Sequence, residues 1–543
     1  MSNKQVQPIY IMPEGAQRTT GKTAQQNNIM AAKLVGEIVR TTLGPKGMDK
    51  MIVDSMGDVT ITNDGVTILE EMHIEHPAAK MVVEVAKTQE EEVGDGTTTA
   101  VILAGEFLKQ AETLLERNIH PTVIVRGYRL ATIKAIDILN TIAKPITRTD
   151  TELLNKIAQT AITGKGAESS KEKLSIIAVT AVQRVIKETT KGLHYDKELI
   201  KIEKNVGGSV EDTELIEGII LDKEPVHPGM PETVENARIA LLDTALEIKN
   251  TEIDAKISIT DPSQIQAFID QEENMLKTMV QRILQTGANV VFTQKGIDDL
   301  AQHFLSKNGV YACRRLKKSD MEALSKATGA TIVTSIHDLT VKDLGMAGKV
   351  RKQMIGDQVM TYVEGCKNPQ SVTILVHGGT EHIVDEVKRS ITDALGDVAA
   401  ALRSGRIVAG AGATETELSK QIRYYSDTLS GREQLAVRAF AEAMEVIPRT
   451  LAENAGLDPI DVLTELKAAH DQGRTWAGID VFTGEVVDAW KAGVLEPLKI
   501  KTQAISSASE VAQMILRIDD VIAGGPSAPQ GGMPPQMPDM GGM

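Results

Sequence analysis

The sequence predicts a multidomain chain in which mainly helical flanks enclose an α/β centre. Three observations carry that expectation. Apolar residues recur at helical spacing toward both ends, at 23–42, 98–117, 431–469 and 506–520. Between 288 and 335, short apolar runs alternate with helical stretches, as in a small parallel α/β domain. The length, 543 residues, corresponds to about three or four folding units at roughly 150 residues each. The likeness of the two flanks points to one domain made from both, with the centre inserted.

The elements follow in order. In the first helix Ile29, Ala32, Val35, Ile38 and Val39 form the apolar stripe, and Gly44-Pro45-Lys46-Gly47 stops it. Residues 58–68 alternate, and Asn63-Asp64-Gly65 reads as a hairpin turn between two strands. A helix is expected over 77–87 with Pro77 in its first turn. Another follows Gly94-Asp95-Gly96. In the centre, strands are expected at 253–259, 288–293, 310–313 and 330–335, with helices at 297–306 and 320–328. Asp261-Pro262 opens a helix whose stripe runs from Ile265 through Phe268, Leu276 and Val280 to Leu284. At 1.5 Å per residue it would be roughly 30 Å long, long for so small a domain, and it reads as a packed surface helix or as a projecting arm. Residues 523–543 are rich in Gly, Pro and Met and cannot bury a core, so a disordered tail is expected.

Composition limits the function. The net charge of −15 argues against a nucleic-acid binder, which needs a basic face. No apolar run reaches the roughly 18 residues of a membrane span, and 1–15 does not read as a secretory signal. Cys313 and Cys366 cannot build a disulfide framework and fit a reducing, cytoplasmic setting. Aromatic residues make up only 3%, so the cores must be aliphatic.

The strongest chemical signal is Gly94-Asp95-Gly96-Thr97-Thr98-Thr99. Two glycines let backbone amides approach an anion, and three hydroxyls at a helix start face the same point. Asp95 would repel a bare phosphate but suits a Mg²⁺ ion shared with phosphate oxygens. Leu43-Gly44-Pro45 is a second glycine loop, informative only if the fold brings it beside Gly94. Asp64 would offer a carboxylate at a hairpin tip to orient water. Asp393 and Asp397 lie one helical turn apart on one face, and the residues alone do not choose between them. Lys165, between two glycines, could reach a terminal phosphate. The 15–23 stretch fails as a P-loop, with five residues rather than four before its Gly-Lys. Gly410-Ala411-Gly412 lacks the third glycine of a dinucleotide loop. The histidines and cysteines have no zinc spacing.

VRTTLGPKGMDK at 39–50, TNDGVTIL at 62–69, HPAAK at 76–80 and VGDGTTT at 93–99 resemble the group II chaperonins. So do QKGIDDL at 294–300, GREQLAVRAFAEAMEVIPRTLAENAGL at 431–457 and ILRIDDVI at 515–522. The resemblance implies a chaperonin fold. It places an equatorial ATP-binding domain at 1–147 and 406–522, an intermediate hinge domain at 148–217 and 368–405, and an apical substrate-binding domain at 218–367 whose helical protrusion covers about 250–284.

It also implies a function: an ATP hydrolase with Mg²⁺, acting on unfolded polypeptides, assembled with identical or homologous subunits into two stacked rings closed by a built-in lid, with no nucleic-acid or membrane partner. By resemblance, Asp64 and Asp393 position and activate the attacking water and Asp95 is the metal ligand. Leu43, Gly44, Pro45, Asn63, Gly65, Gly96, Thr97, Thr98, Thr99, Gly410 and Gly412 line the nucleotide. Lys165 senses the terminal phosphate, and Glu496 sits at the ribose. The family's loop carries three successive glycines where Ala411 stands here. The competing reading is a passive assembly that holds clients without turnover. A soluble kinase would need an acceptor pocket that no sequence feature supplies.

Overall fold

The computed structural model describes residues 17–54, 56–190, 192–248, 262–355, 358–366 and 371–523, with the backbone alone at 17, 262–269, 355, 358 and 523. The expected strand at 253–259, the side chains of Ile265, Phe268 and Ile269, and the tail from 524 onward lie outside the described residues. Ala523, placed in the tail by the sequence, instead closes the strand Asp520–Ala523, which pairs antiparallel with Gln17–Thr20.

The two flanks share one core. It joins Ile29, Val39, Leu103 and Tyr128 from the first part of the chain to Leu418, Phe440, Leu466 and Ile515 from the last. Its seam is aromatic: Phe107 stacks on Phe440 with ring centroids 4.3 Å apart, and Tyr128 meets Phe440 edge-on at 5.6 Å. The helices Gly21–Arg40 and Thr97–Glu116 cross where two glycines meet, a Cβ at Gly36 falling 3.5 Å from the Gly105 Cα. That crossing sets the level at which Thr97 begins its helix.

A second core gathers Leu154, Val182, Val376, Val387 and Leu402 around the helices Thr151–Ile162, Lys171–Val185 and Glu381–Ser404. The strands Ile200–Val206 and Val372–Gly378 pair parallel beside it.

The centre is an α/β unit, but its sheet is mixed rather than parallel. Strand Thr233–Leu242 pairs parallel with Val290–Thr293 and Ile332–Val333 through its second half, and antiparallel with Gly345–Ile355 through its first. The antiparallel side continues through Gln358–Glu364 to Gly218–Leu221. A ten-residue strand is long enough to serve both directions.

The long central helix is Pro262–Gln285. Its C-terminal half does not wait for a partner: Leu276, Val280 and Ile283 are buried against Leu242, Val291, Ala301 and Leu305 of its own sheet and helix layer. Of the apolar positions of the shorter helices, Leu305, Met321 and Leu324 are likewise core, while Leu300 is exposed.

Two further expectations are corrected. The hairpin is formed by Lys50–Val53 and Val59–Thr62, so Asn63-Asp64-Gly65 is not its turn. Instead Asp64 caps the helix Gly65–Glu71. The last long helix is Leu498–Leu516, beginning eight residues earlier than expected.

Candidate functional site

The helix Pro77–Val93 ends at Gly94 with φ 86°, and Gly96, with φ 80°, caps the helix Thr97–Glu116. Both lie in the left-handed region that glycine adopts without strain. No side chain caps this second helix, so the amides of its first turn face the loop. A Cβ on Gly96 would lie 2.6 Å from Ile500 Cγ2 and 3.0 Å from Gln89 Nε2. Gln89, fully buried, donates to the Asp95 carbonyl at 2.8 Å and to the Ile500 carbonyl at 3.3 Å. The turn is thus held from beneath by a residue the sequence reading missed.

Asp64 reaches the same place from the cap of its own helix. Its Oδ2 accepts from the Thr67 amide at 2.9 Å and the Thr67 hydroxyl at 2.7 Å, and its Oδ1 accepts from Thr97 Oγ1 at 3.3 Å. A Cβ on Gly65 would strike Thr98 Oγ1 at 2.7 Å. Asn63 donates to the Gly164 carbonyl at 3.3 Å, and Gly164 lies so close to Pro45 that a Cβ would fall 2.5 Å from the Pro45 Cα. Asn454 donates to the Leu43 carbonyl at 2.9 Å. The loops at 43–45, 63–65, 94–99 and 164–165 therefore converge, which spacing alone could not establish.

The helix Glu381–Ser404 closes the other side. Gly396 packs on Gly94, where a Cβ would be 3.2 Å from the Gly94 Cα. This contact flanks the loop with Asp393 and Asp397. Lys165 Nζ forms an ion pair with Asp393 Oδ2. Burial alone would depress the Lys165 ammonium, but Asp393, Asp95 and Asp64 outweigh it and hold its pKa above the ordinary lysine value. Burial pushes Asp393 up to about 7 against the pull of Lys165, with Asp95 and Asp64 adding to the rise. Asp397 is also raised, by burial and then by Asp95. Glu90, unremarked in the sequence, is raised to about 8 by burial and by the charges of Asp393, Asp64 and Asp95. Asp64, Thr67, Glu90, Arg389 and Asp393 line a cleft of about 540 Å³.

Gly410 and Glu496 form a second cluster, with Gly412 on the same loop. Glu496 pairs through its strand with Val408, and a Cβ on Gly410 would meet Glu496 Oε1 at 2.4 Å. Ala411 holds φ 55°, and its methyl lies against Gly478, whose own Cβ would be 2.9 Å away. Lys501 joins Glu415 at 2.7 Å and Glu496 at 2.6 Å. Burial raises Glu496 while Lys501 opposes the rise. Lys501 and Glu415 were missed because their functional cue is a contact across the fold. The charge of Asp95 bears on both Asp397 and Glu496, so the two clusters share one electrostatic neighbourhood.

Comparison with known proteins decides what this arrangement belongs to. The sequence profile of the TCP-1/cpn60 chaperonin family matches residues 35–526. The chain belongs to the TCP-1/cpn60 chaperonin family. It is 61% identical to thermosome subunit beta of Archaeoglobus fulgidus, over 99% of this chain and 100% of that one. It is 62% identical to the thermosome subunit of Methanopyrus kandleri, over 95% and 94% of the two chains. Among solved structures it resembles the open state monomer of a group II chaperonin from Methanococcoides burtonii, with a TM-score of 0.60 and 50% identity, covering 78% of this chain and all of that one. This chaperonin is an ATP-dependent molecular chaperone, and nothing in these likenesses favours passive holding. Among the described residues, no helix is long and apolar enough to cross a membrane.

Proposed function

We propose that this chaperonin binds ATP with Mg²⁺ where its four loops converge, hydrolyses it, and uses the cycle to enclose unfolded polypeptides. The observation that carries this reading is the meeting of Asp64, Thr97, Lys165 and Asp393, drawn from four separated segments, beside an uncapped helix start, with Asp64 and Asp393 lining a cleft. We propose the domain division 1–147 with 406–522, 148–217 with 368–405, and 218–367, the chains forming two stacked rings of identical or homologous subunits in the cytoplasm. By the resemblance, the proposed protrusion at 250–284 would supply the lid from its N-terminal part, its C-terminal half being rooted in the central core.

The residues fit the two ligands. At Gly65, Gly96 and Gly410 a Cβ would strike Thr98, Ile500 or Glu496, so only glycine lets the loops close on one another there, and the bare amides of Thr97 to Thr99 suit phosphate. Among the described residues, no three His, Cys, Asp or Glu side chains already stand close enough to hold a metal ion alone. That suits Mg²⁺, which takes one or two carboxylates and completes its shell with water and phosphate oxygens. Asp95 would hold the ion, which when bound supplies neutralising charge to the phosphates.

The chain's own groups do the rest. Asp64, fixed by Thr67 and Thr97, accepts a proton from the attacking water, and Asp393 orients that water. Lys165 has two anions to choose between, Asp393 and a terminal phosphate. Moving to the phosphate frees the Asp393 carboxylate, which links nucleotide occupancy to the helix Glu381–Ser404. Only such differential binding lets a nucleotide shift a conformational equilibrium. Glu496, steadied by Lys501, accepts from the ribose.

The test is phosphate release by assembled protein. Asp64→Ala should lower the rate by at least about a hundredfold while ATP still binds in calorimetry. A variant that hydrolyses at the parent rate sinks the assignment.

A further inference from the structure

One acid that none of these roles employs is Asp397. Its residue is 1% exposed, and its Oδ1 has no hydrogen-bond partner. Burying an unpaired carboxylate costs stability, so a packed helix would gain by replacing it with an apolar residue. Its place is not arbitrary. Asp397 follows Gly396, the residue that touches Gly94, and Asp95 is the strongest charged influence upon it. Asp393, one turn away, is already engaged by Lys165, whereas Asp397 is not. Nor does Lys501 reach Asp397: its two partners are Glu415 and Glu496.

We propose that Asp397 is a positioning residue for the divalent cation, accepting hydrogen bonds from the ion's water ligands opposite Asp95. The inference rests on the magnesium–nucleotide reading above and deepens it. Asp95 belongs to the loop between two helices of the shared flank core, and Asp397 to a helix of the second core. The hydrated ion then has a carboxylate on each side of the contact between Gly94 and Gly396. The unpaired oxygen waits for donors that arrive with the ion, and its desolvation is the cost of that readiness.

Such outer carboxylates commonly matter by about ten- to a hundredfold in metal affinity. The experiment uses full-length assembled protein and isothermal calorimetry of ATP at graded Mg²⁺. In Asp397→Asn the Mg²⁺ concentration giving half-maximal ATP affinity should rise by at least about tenfold, and in Asp397→Glu by less. Without nucleotide or divalent ion, thermal unfolding of Asp397→Asn should occur at a higher temperature than the parent, because the buried, unpartnered acid is gone. An unchanged Mg²⁺ midpoint in Asp397→Asn overturns the inference, whatever the stability change. So does failure of both Asp397→Asn and Asp397→Ser to assemble, which would show a structural partner instead. If the parent itself takes up ATP without regard to Mg²⁺, the nucleotide-site reading fails first.

Discussion

The two acidic clusters use lysine in opposite ways. In the Glu496 cluster, Lys501 is 6% exposed and lies between Glu415 and Glu496. In the Asp393 cluster, Lys165 holds one carboxylate while Asp64, Asp95, Asp397 and Glu90 press upon the same region. The first cluster sets two carboxylates against one ammonium. The second is over-supplied with acid and assembled from two cores that touch at Gly94 and Gly396. A site meant to admit a cation is expected to carry surplus acid, its carboxyls raised until the cation comes and favours their ionised form. A site meant only to hold a ribose is not.

Removing each lysine sharpens that contrast. Lys501→Met strands the Glu415 carboxylate, 2% exposed, and takes the partner from Glu496, and breaking a buried pair this way costs about 3–5 kcal/mol. Chemical denaturation should show the loss directly. Lys165→Met should cost much less, because Asp393, already raised to about 7, can retain a proton and faces the cleft. Its larger effect should be functional: lid protection against protease should no longer follow ATP hydrolysis. Equal stability losses in the two variants would erase the distinction between the clusters.

A smaller effect concerns pH. Glu90 is raised from 4.5 to about 8, so between those values the folded protein keeps a proton that the unfolded chain has released. Native binding of the extra proton means stability falls as pH rises through that window and levels off above it. Glu90→Gln should flatten this part of the melting-temperature profile in nucleotide-free protein. An identical slope in parent and variant would place the acid surplus elsewhere.

Much of this was legible in the sequence, for physical reasons that differ by element. The flank helices show a 3.6-residue apolar period over four or more turns, which a strand cannot mimic. Gly94-Asp95-Gly96 was legible because its two glycines do local work, each at positive φ beside a helix end. Asn63-Asp64-Gly65 misled because the same residue types serve turns and helix caps. What separates them here is Thr67, whose amide and hydroxyl both donate to Asp64. The stripe of Pro262–Gln285 was legible as apolar but not in destination, since Leu276 and Ile283 find their partners in strands far away in the chain. Lys165 with Asp393, and Lys501 with Glu415, are tertiary contacts that no local pattern announces.

The smallest expected effect tests whether the Glu496 cluster is as settled as its ion pairs suggest. Ala411 carries φ 55°, where a β-carbon costs about 1–2 kcal/mol. Its carbonyl nevertheless accepts from the Ile479 amide at 3.0 Å, and Gly478 leaves room for its methyl. Ala411→Gly removes the strain but frees the unfolded chain, which offsets roughly 0.5–1 kcal/mol. The two nearly cancel, so the midpoint of denaturation should move by no more than about 1 kcal/mol. Because the methyl is housed by Gly478, ATP affinity should stay within about twofold, under roughly 0.4 kcal/mol. A tenfold tightening in Ala411→Gly would show that the methyl narrows the nucleotide pocket, and that this cluster too is held under tension.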